Sequence, residues 1–153
     1  MVTWYEFALW VHLFGAVIWV GGGIAIQFFA FRIMRTNDPI RLAGFAKDAE
    51  WIGTRVFIPV STLLLIFGFV LMSEGNWSYD FWVIFGLVVF ALSALTGTAF
   101  LGPESGRIGK LVEQHGVEYP EVQARIKRIL MLSRIEVTLL VAVVFVMVVK
   151  PFA

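Results

Sequence analysis

The sequence has 153 residues, of which 59% are hydrophobic and only 15% charged, whereas soluble domains carry about 25% charged residues. It contains no cysteine, which excludes disulfides, iron–sulfur clusters, thiolate copper sites and covalently attached c-type haem. The formal net charge is +1, and we expect the basic residues to serve membrane topology and contact with anionic lipid rather than nucleic acid.

Four apolar segments follow one another along the chain. The first three are free of charge over most of a span, and the fourth is interrupted only by Arg134 and Glu136. A helix needs about 20 apolar residues to cross the hydrocarbon core, and no segment alternates as a barrel strand would. The sequence therefore predicts an all-α, integral membrane four-helix bundle. We expect one transmembrane domain over residues 1–153, with spans near 5–32, 52–73, 81–102 and 129–149.

The basic residues predict the orientation of these spans. All but Lys150 of the twelve Lys and Arg residues fall in or beside the links 33–51 and 103–128. Because basic loops stay in the cytoplasm, both termini are expected on the outer side of a bacterial inner (cytoplasmic) membrane. The protein would be a multi-pass protein whose surroundings are the lipid bilayer.

The two cytoplasmic links are expected to be helical. Asp38 precedes Pro39 as an N-cap followed by proline at the first helical position, and Tyr119 precedes Pro120 in the same way. Both stretches run without a helix breaker into the next span. Residues 103–116 predict a further short helix, which we expect to be solvated on the membrane surface.

His12 is the residue that most strongly indicates a site, because a titratable group inside a span is costly and usually functional. On a helical wheel it shares a stripe with Ala16 and Trp19, and Gly15 and Gly22 lie at the edge of that stripe. Small residues give clearance for a flat macrocycle, but they equally allow a neighbouring helix to approach. The alternative is a histidine that is hydrogen-bonded to another helix or lies near the outer interface.

Neutral imidazole is a ligand for haem iron and for copper. Since one histidine cannot supply both axial positions of a haem, the second ligand would be Met72, Met147 or His12 of another copy in a homo-oligomer, unless that face stays open. Both methionines are expected near the outer ends of their spans. Histidine with one or two methionines also suits copper(I), and each methionine could equally be packing filler.

Arg55, Arg134 and Glu136 form the second polar group within the spans, near the cytoplasmic boundary. Because an unpaired charge at that depth is costly, we expect an ion pair that fixes helix packing. A functional alternative is a propionate clamp or a proton path through Glu136. No catalytic residue can be named, since the sequence has no HExxH motif, phosphate-binding loop or Ser/His/Asp arrangement.

The first span carries the pattern His-x6-Trp-x-Gly-Gly, formed by His12, Trp19, Gly21 and Gly22. It resembles the first helix of small bacterial membrane proteins related to the copper-resistance protein D family, and it is similar to that of HemJ-type protoporphyrinogen oxidases. The resemblance implies that His12 ligates b-type haem in the second case, or that it has a copper role in the first. HemJ-type proteins also carry a functional lysine in the third span, which has none here. The resemblance thus implies a membrane cofactor site centred on histidine rather than either named activity.

These observations together predict a membrane b-type haem-binding protein that acts in electron transfer or haem handling, with His12 as an axial ligand and a redox partner. If it is an enzyme, it would be a haem-dependent oxidoreductase. One alternative is a copper(I) transport or tolerance protein that uses His12 and methionines. Another is a non-catalytic subunit of a larger membrane complex.

Overall fold

The computed structural model describes residues 1–77 and 80–152, and within them every regular element is helical. Six α-helices follow in chain order: α1 (Trp4–Met34), α2 (Pro39–Ile52), α3 (Ile58–Gly75), α4 (Phe81–Thr96), α5 (Gly102–His115) and α6 (Pro120–Val149). Five-residue π-helical segments, Gly53–Phe57 and Gly97–Leu101, join α2 to α3 and α4 to α5. The chain therefore forms four long helical rods.

The helix starts follow local capping chemistry. Thr3 and Glu6 form a capping box at the start of α1, in which the Thr3 hydroxyl accepts from the Glu6 amide and the Glu6 carboxylate accepts from the Thr3 amide. The Asp38 carboxylate accepts hydrogen bonds from the amides of Ile40 and Arg41 at the start of α2. The predicted helical links are thus confirmed as α2, α5 and the first turns of α6.

Each π-helical segment lies just before a proline. The amide of Ile58 bonds to the Gly53 carbonyl, five residues back, and the next residue is Pro59. Gly102 bonds to Gly97 in the same way before Pro103. A proline ring in a helix clashes with the carbonyl four residues earlier, and a widened turn relieves that clash without ending the rod.

The four rods pack as two neighbouring pairs, α1 with α3 and α4 with α6, and α1 also contacts α6. Glycines of α1 permit the first contact. A Cβ on Gly15 would lie 3.3 Å from the Leu64 Cβ, and one on Gly22 would lie 2.8 Å from the Phe57 ring. Small residues at these points let the helix backbones approach closely.

Helices α2 and α5 lie against each other at one end of the bundle, which we call the basic end because eleven of the basic residues lie at or near it. Their facing sides and the first turns of α6 enclose a small apolar core that includes Leu42, Ile108, Val112 and Val122. The expectation that α5 is simply solvated is therefore wrong for one of its faces. Its outer residues Lys110, Glu113 and His115 are exposed.

One buried ion pair fastens α5 to α6 at the basic end. Glu104 is 4% exposed and accepts a hydrogen bond of 2.7 Å from Arg125. Arg107 lies 3.6 Å from the other Glu104 oxygen, and Glu121 pairs with Arg125 from the adjacent turn. The bonds that Arg125 donates to Glu104, and then to Glu121, raise the pKa of its guanidinium.

The outer surface of the rods is apolar. Large hydrophobic side chains such as Phe28, Val88 and Phe145 are more than half exposed. All four rods are long and apolar enough to cross a membrane, so these side chains are placed to meet lipid. An all-α membrane bundle of four spans is thereby confirmed. Tyr5 of α1 and Lys150 after α6 border one cavity, so both termini lie at the same end, which we call the terminal end.

Candidate functional site

His12 is held in one orientation by α3. Its Nδ1 lies 2.9 Å from the main-chain oxygen of Leu64, and because a carbonyl only accepts, Nδ1 is the protonated nitrogen. Gly68, one turn further along α3, makes room for the ring, since a Cβ there would lie 3.1 Å from the His12 Cε1. In neutral imidazole this arrangement leaves the lone pair on Nε2.

Nε2 of His12 forms no hydrogen bond within the described residues, and His12 borders a cavity of about 270 Å³. We call this space the terminal cavity, because it lies near the terminal end. Both Met72 of α3 and Met147 of α6 line it, and the Met147 methyl occupies the space that a side chain at Gly86 would take. The structure thus brings together the histidine and the two methionines that the sequence singled out.

Trp19 closes the inner side of the terminal cavity. It is 7% exposed and packs edge-to-face against Phe90, with ring centroids 5.4 Å apart. Gly15 and Gly22 are absent from the cavity wall: Gly15 faces Leu64 of α3, and Gly22 faces Phe57 of the π-helical segment before it. Of the two interpretations of the small residues beside His12, the structure supports helix approach for Gly15 and Gly22, whereas Ala16 does line the cavity.

The mouth of the terminal cavity is formed in part by a lysine and two tryptophans. The Lys150 ammonium lies 4.3 Å from the ring centre of Trp77 and 4.9 Å from that of Trp82. Trp82 is 6% exposed, and its indole Nε1 has no hydrogen-bond partner among the described residues. A buried donor without a partner is unusual and calls for an explanation.

The predicted ion pair of Glu136 with Arg55 or Arg134 is wrong. No salt bridge to Glu136 is formed in residues 1–77 and 80–152, and the side chains of both arginines are exposed. The reason is helical geometry. Arg134 and Glu136 are two residues apart on α6 and so face in different directions, while Arg55 lies in a π-helical segment with its side chain outward.

Glu136 instead lines a second cavity of about 160 Å³, which extends toward α2 and α5 and which we call the basic-end cavity. Gln27 of α1 and Ser133 of α6 are hydrogen-bonded to each other in its wall, and Ser93 of α4 also borders it. Trp19 and Leu140 border both cavities. These two side chains therefore lie between the His12 side and the Glu136 side.

Several residues of these cavities were missed by sequence reasoning. Gln27 is the only amide in the first span, and that isolation could have marked it. Gly68 and Trp82 gave no such signal, because the roles of both depend on which helices are neighbours. No group of three or more His, Asp or Glu side chains that could hold a metal occurs in the described part of the chain.

The fold and these cavities can be set beside known proteins. No curated protein and no solved structure gives a significant match to the chain. A protein family described as "Predicted integral membrane protein (DUF2269)" matches residues 6–151. Because that match covers nearly the whole chain, which has four helices able to cross a membrane, the protein belongs to the DUF2269 family of integral membrane proteins.

Proposed function

We propose that this protein binds b-type haem in the terminal cavity through Nε2 of His12, and that it acts in electron transfer or haem handling. The observation that carries the proposal is the hydrogen bond from His12 Nδ1 to the Leu64 carbonyl, 2.9 Å long. Histidines that bind metals usually donate their other ring nitrogen to a carbonyl or carboxylate, which fixes the tautomer and orients the ring. In this arrangement the lone pair of Nε2 is available beside a cavity.

The other residues of the terminal cavity fit the same ligand. Met72 and Met147 are thioethers that line the same cavity as His12, and a His/Met pair is a known axial set for haem. At the mouth, the Lys150 ammonium would hold a propionate carboxylate.

Bound haem would supply one-electron chemistry, and the protein would hold it and exclude water. Because an electron-transfer role requires a redox partner, we propose that the protein has one. We also propose that the basic end lies in the cytoplasm of a bacterial cell, so that the haem lies in the outer half of the inner membrane. A homo-oligomer remains part of the proposal, since His12 of a second copy could replace a methionine as ligand.

A second candidate function is the binding of copper(I) for transport or tolerance. It is favoured by the presence of one imidazole and two thioethers around one small apolar cavity. Soft thioether ligands select copper(I). In this case Met72 and Met147 would both be ligands, whereas haem needs at most one of them.

The test is the visible spectrum and the metal content of the detergent-purified protein, expressed with ample haem. Wild type is compared with His12→Ala and with His115→Ala, a matched control in which the exposed histidine beside Tyr119 is removed. We expect a Soret band that sharpens on reduction, that is lost in His12→Ala and that is kept in His115→Ala. Both variants should still be found in the membrane fraction.

The other outcomes distinguish the alternatives. Copper without a Soret band, lost in His12→Ala and in the double variant Met72→Leu/Met147→Leu, would establish the copper function and refute the haem proposal. A colourless protein free of metal would leave a non-catalytic subunit of a membrane complex, in which His12 only joins α1 to α3.

A further inference from the structure

The basic-end cavity combines polar groups that the haem site does not use. Ser93 is 2% exposed, and its hydroxyl has no hydrogen-bond partner within the described residues. Ser61, Ser105 and Thr98 also line the cavity. A volume of about 160 Å³ exceeds the roughly 10–15 Å³ that one water needs. Buried water commonly satisfies polar groups that line a cavity of this kind.

Glu136 is the one titratable side chain among the described residues that line this cavity. It lies seven residues into the predicted span, about 10 Å along the helix axis at 1.5 Å per residue. No charged side chain of α1, α2, α4 or α5 lines the cavity in the described ranges. Glu104 and Arg125 pair with each other at the basic end, and Arg55 and Arg134 are exposed.

A carboxyl without a cationic partner in a span is stable as the neutral acid, or as an anion that water can reach. The cavity is lined at the basic end by Phe45 of α2 and Ser105 of α5, whereas Trp19 and Leu140 lie between it and the terminal cavity. Any exchange of the Glu136 proton would thus take place with the basic end.

We propose that Glu136 is a proton-binding site in a hydrated cavity, and that it takes up and releases its proton through the basic end. The ligand is a proton carried by water, and Gln27, Ser93 and Ser133 supply the hydrogen-bonding groups around it. The site is separate from His12 and does not depend on any cofactor there. Its position in the cytoplasmic half follows from the predicted orientation of the basic links.

Modification by dicyclohexylcarbodiimide tests this proposal directly. The reagent is apolar and takes the proton of a neutral carboxylic acid, after which the carboxylate adds to its central carbon and the adduct rearranges to a stable N-acylurea. In wild-type protein in detergent, peptide mapping should locate one adduct on Glu136 in mildly acidic buffer and progressively less in alkaline buffer. Glu104, which is buried and accepts a hydrogen bond of 2.7 Å from Arg125, is the internal control and should stay unmodified.

Infrared spectroscopy provides a second measurement on the wild-type protein. A protonated carboxyl gives a C=O band in a region free of carboxylate bands. We expect this band to shift promptly in D₂O, because water reaches the cavity, and to be missing in Glu136→Gln. Since both experiments can be read from the wild type, they test the proposal even if the Glu136→Gln variant fails to fold.

Two results would overturn the proposal. The first is the absence of an adduct on Glu136 at every pH, or equal modification of Glu104. The second is a carboxyl band that does not move in D₂O, which would mean a dry cavity. Neither readout involves haem or copper, so failure of the His12 proposal would leave these results unchanged. Failure of the Glu136 proposal would likewise leave the spectra and metal content that test His12 unchanged.

Discussion

Gly68 provides the sharpest test of how His12 is held. A Cβ at this position would lie 3.1 Å from Cε1 and 3.3 Å from Nδ1 of His12, closer than side chains normally approach. In Gly68→Ala the imidazole must therefore move by a few tenths of an ångström away from α3, and in Gly68→Val by more. The hydrogen bond to Leu64, 2.9 Å long, would stretch in the first variant and break in the second.

The expected loss follows from the role of that bond. Removing a group that orients a metal ligand lowers metal affinity by about 10- to 100-fold, which is about 1.4 to 2.8 kcal/mol. We expect the alanine variant near the lower value and the valine variant near the upper one. Titration of apoprotein with haem, followed at the Soret band, gives the dissociation constants.

Gly21→Ala is the matched control, because Gly21 lies on α1 and a Cβ added there would have nothing within 4 Å. Gly68→Ala and Gly21→Ala gain similar helix propensity, about 1 kcal/mol, so this contribution cancels between them. Wild-type affinity in Gly68→Val, with Gly21→Ala also unchanged, would refute the idea that the contact with α3 prepares His12 as a ligand.

Three further predictions concern stability, measured as the midpoint of thermal unfolding in detergent. Arg125→Met should lower the midpoint clearly, because it leaves the buried Glu104 carboxylate with only the exposed Arg107, 3.6 Å away. Lys47→Met, which breaks an exposed pair, should lower it little, and equal effects of the two variants would contradict this. Arg55→Ala should change the midpoint less than Arg125→Met, since its exposed side chain forms no ion pair within the described residues, and a larger loss would reveal a partner. Ser93→Ala should lower the free energy of unfolding by about 0.5–1.5 kcal/mol if its hydroxyl is bonded to cavity water, and the midpoint should fall with it. A stabilised variant would indicate a dry cavity.

The membrane spans could be predicted from the sequence because lipid imposes a simple rule. Length and apolarity suffice to identify a spanning helix, and the four rods contain the four predicted segments. The surface helix α5 was also predicted, but its buried face was not. That face packs against α2, and such a contact depends on how two distant helices meet.

The polar sites show even more clearly that the sequence does not reveal which helices become neighbours. The cost of a polar group in a span marked both His12 and Glu136 from their positions alone. The same argument led to a wrong ion pair for Glu136, because it fixed the depth of Arg134 but ignored its direction around the helix. The partners that the structure does show, Leu64 for His12 and Ser133 for Gln27, are 52 and 106 residues away along the chain. No local pattern encodes such a pairing.

The π-helical segment Gly97–Leu101 has a consequence for how the third rod can change. A widened turn holds one residue more than an α-helical turn, so a deletion of one residue that restored regular α-helix would leave everything beyond it facing as before. Conversion of the widened turn to regular α-helix without a deletion would instead rotate everything beyond it by about 100° relative to α4. Glu104 would swing away from Arg125, while Trp82 and Gly86 kept their places around the terminal cavity. The segment thus sets the rotation of α5 relative to α4 about the axis of the rod. It lets the membrane half and the basic half of the rod each face its own partners.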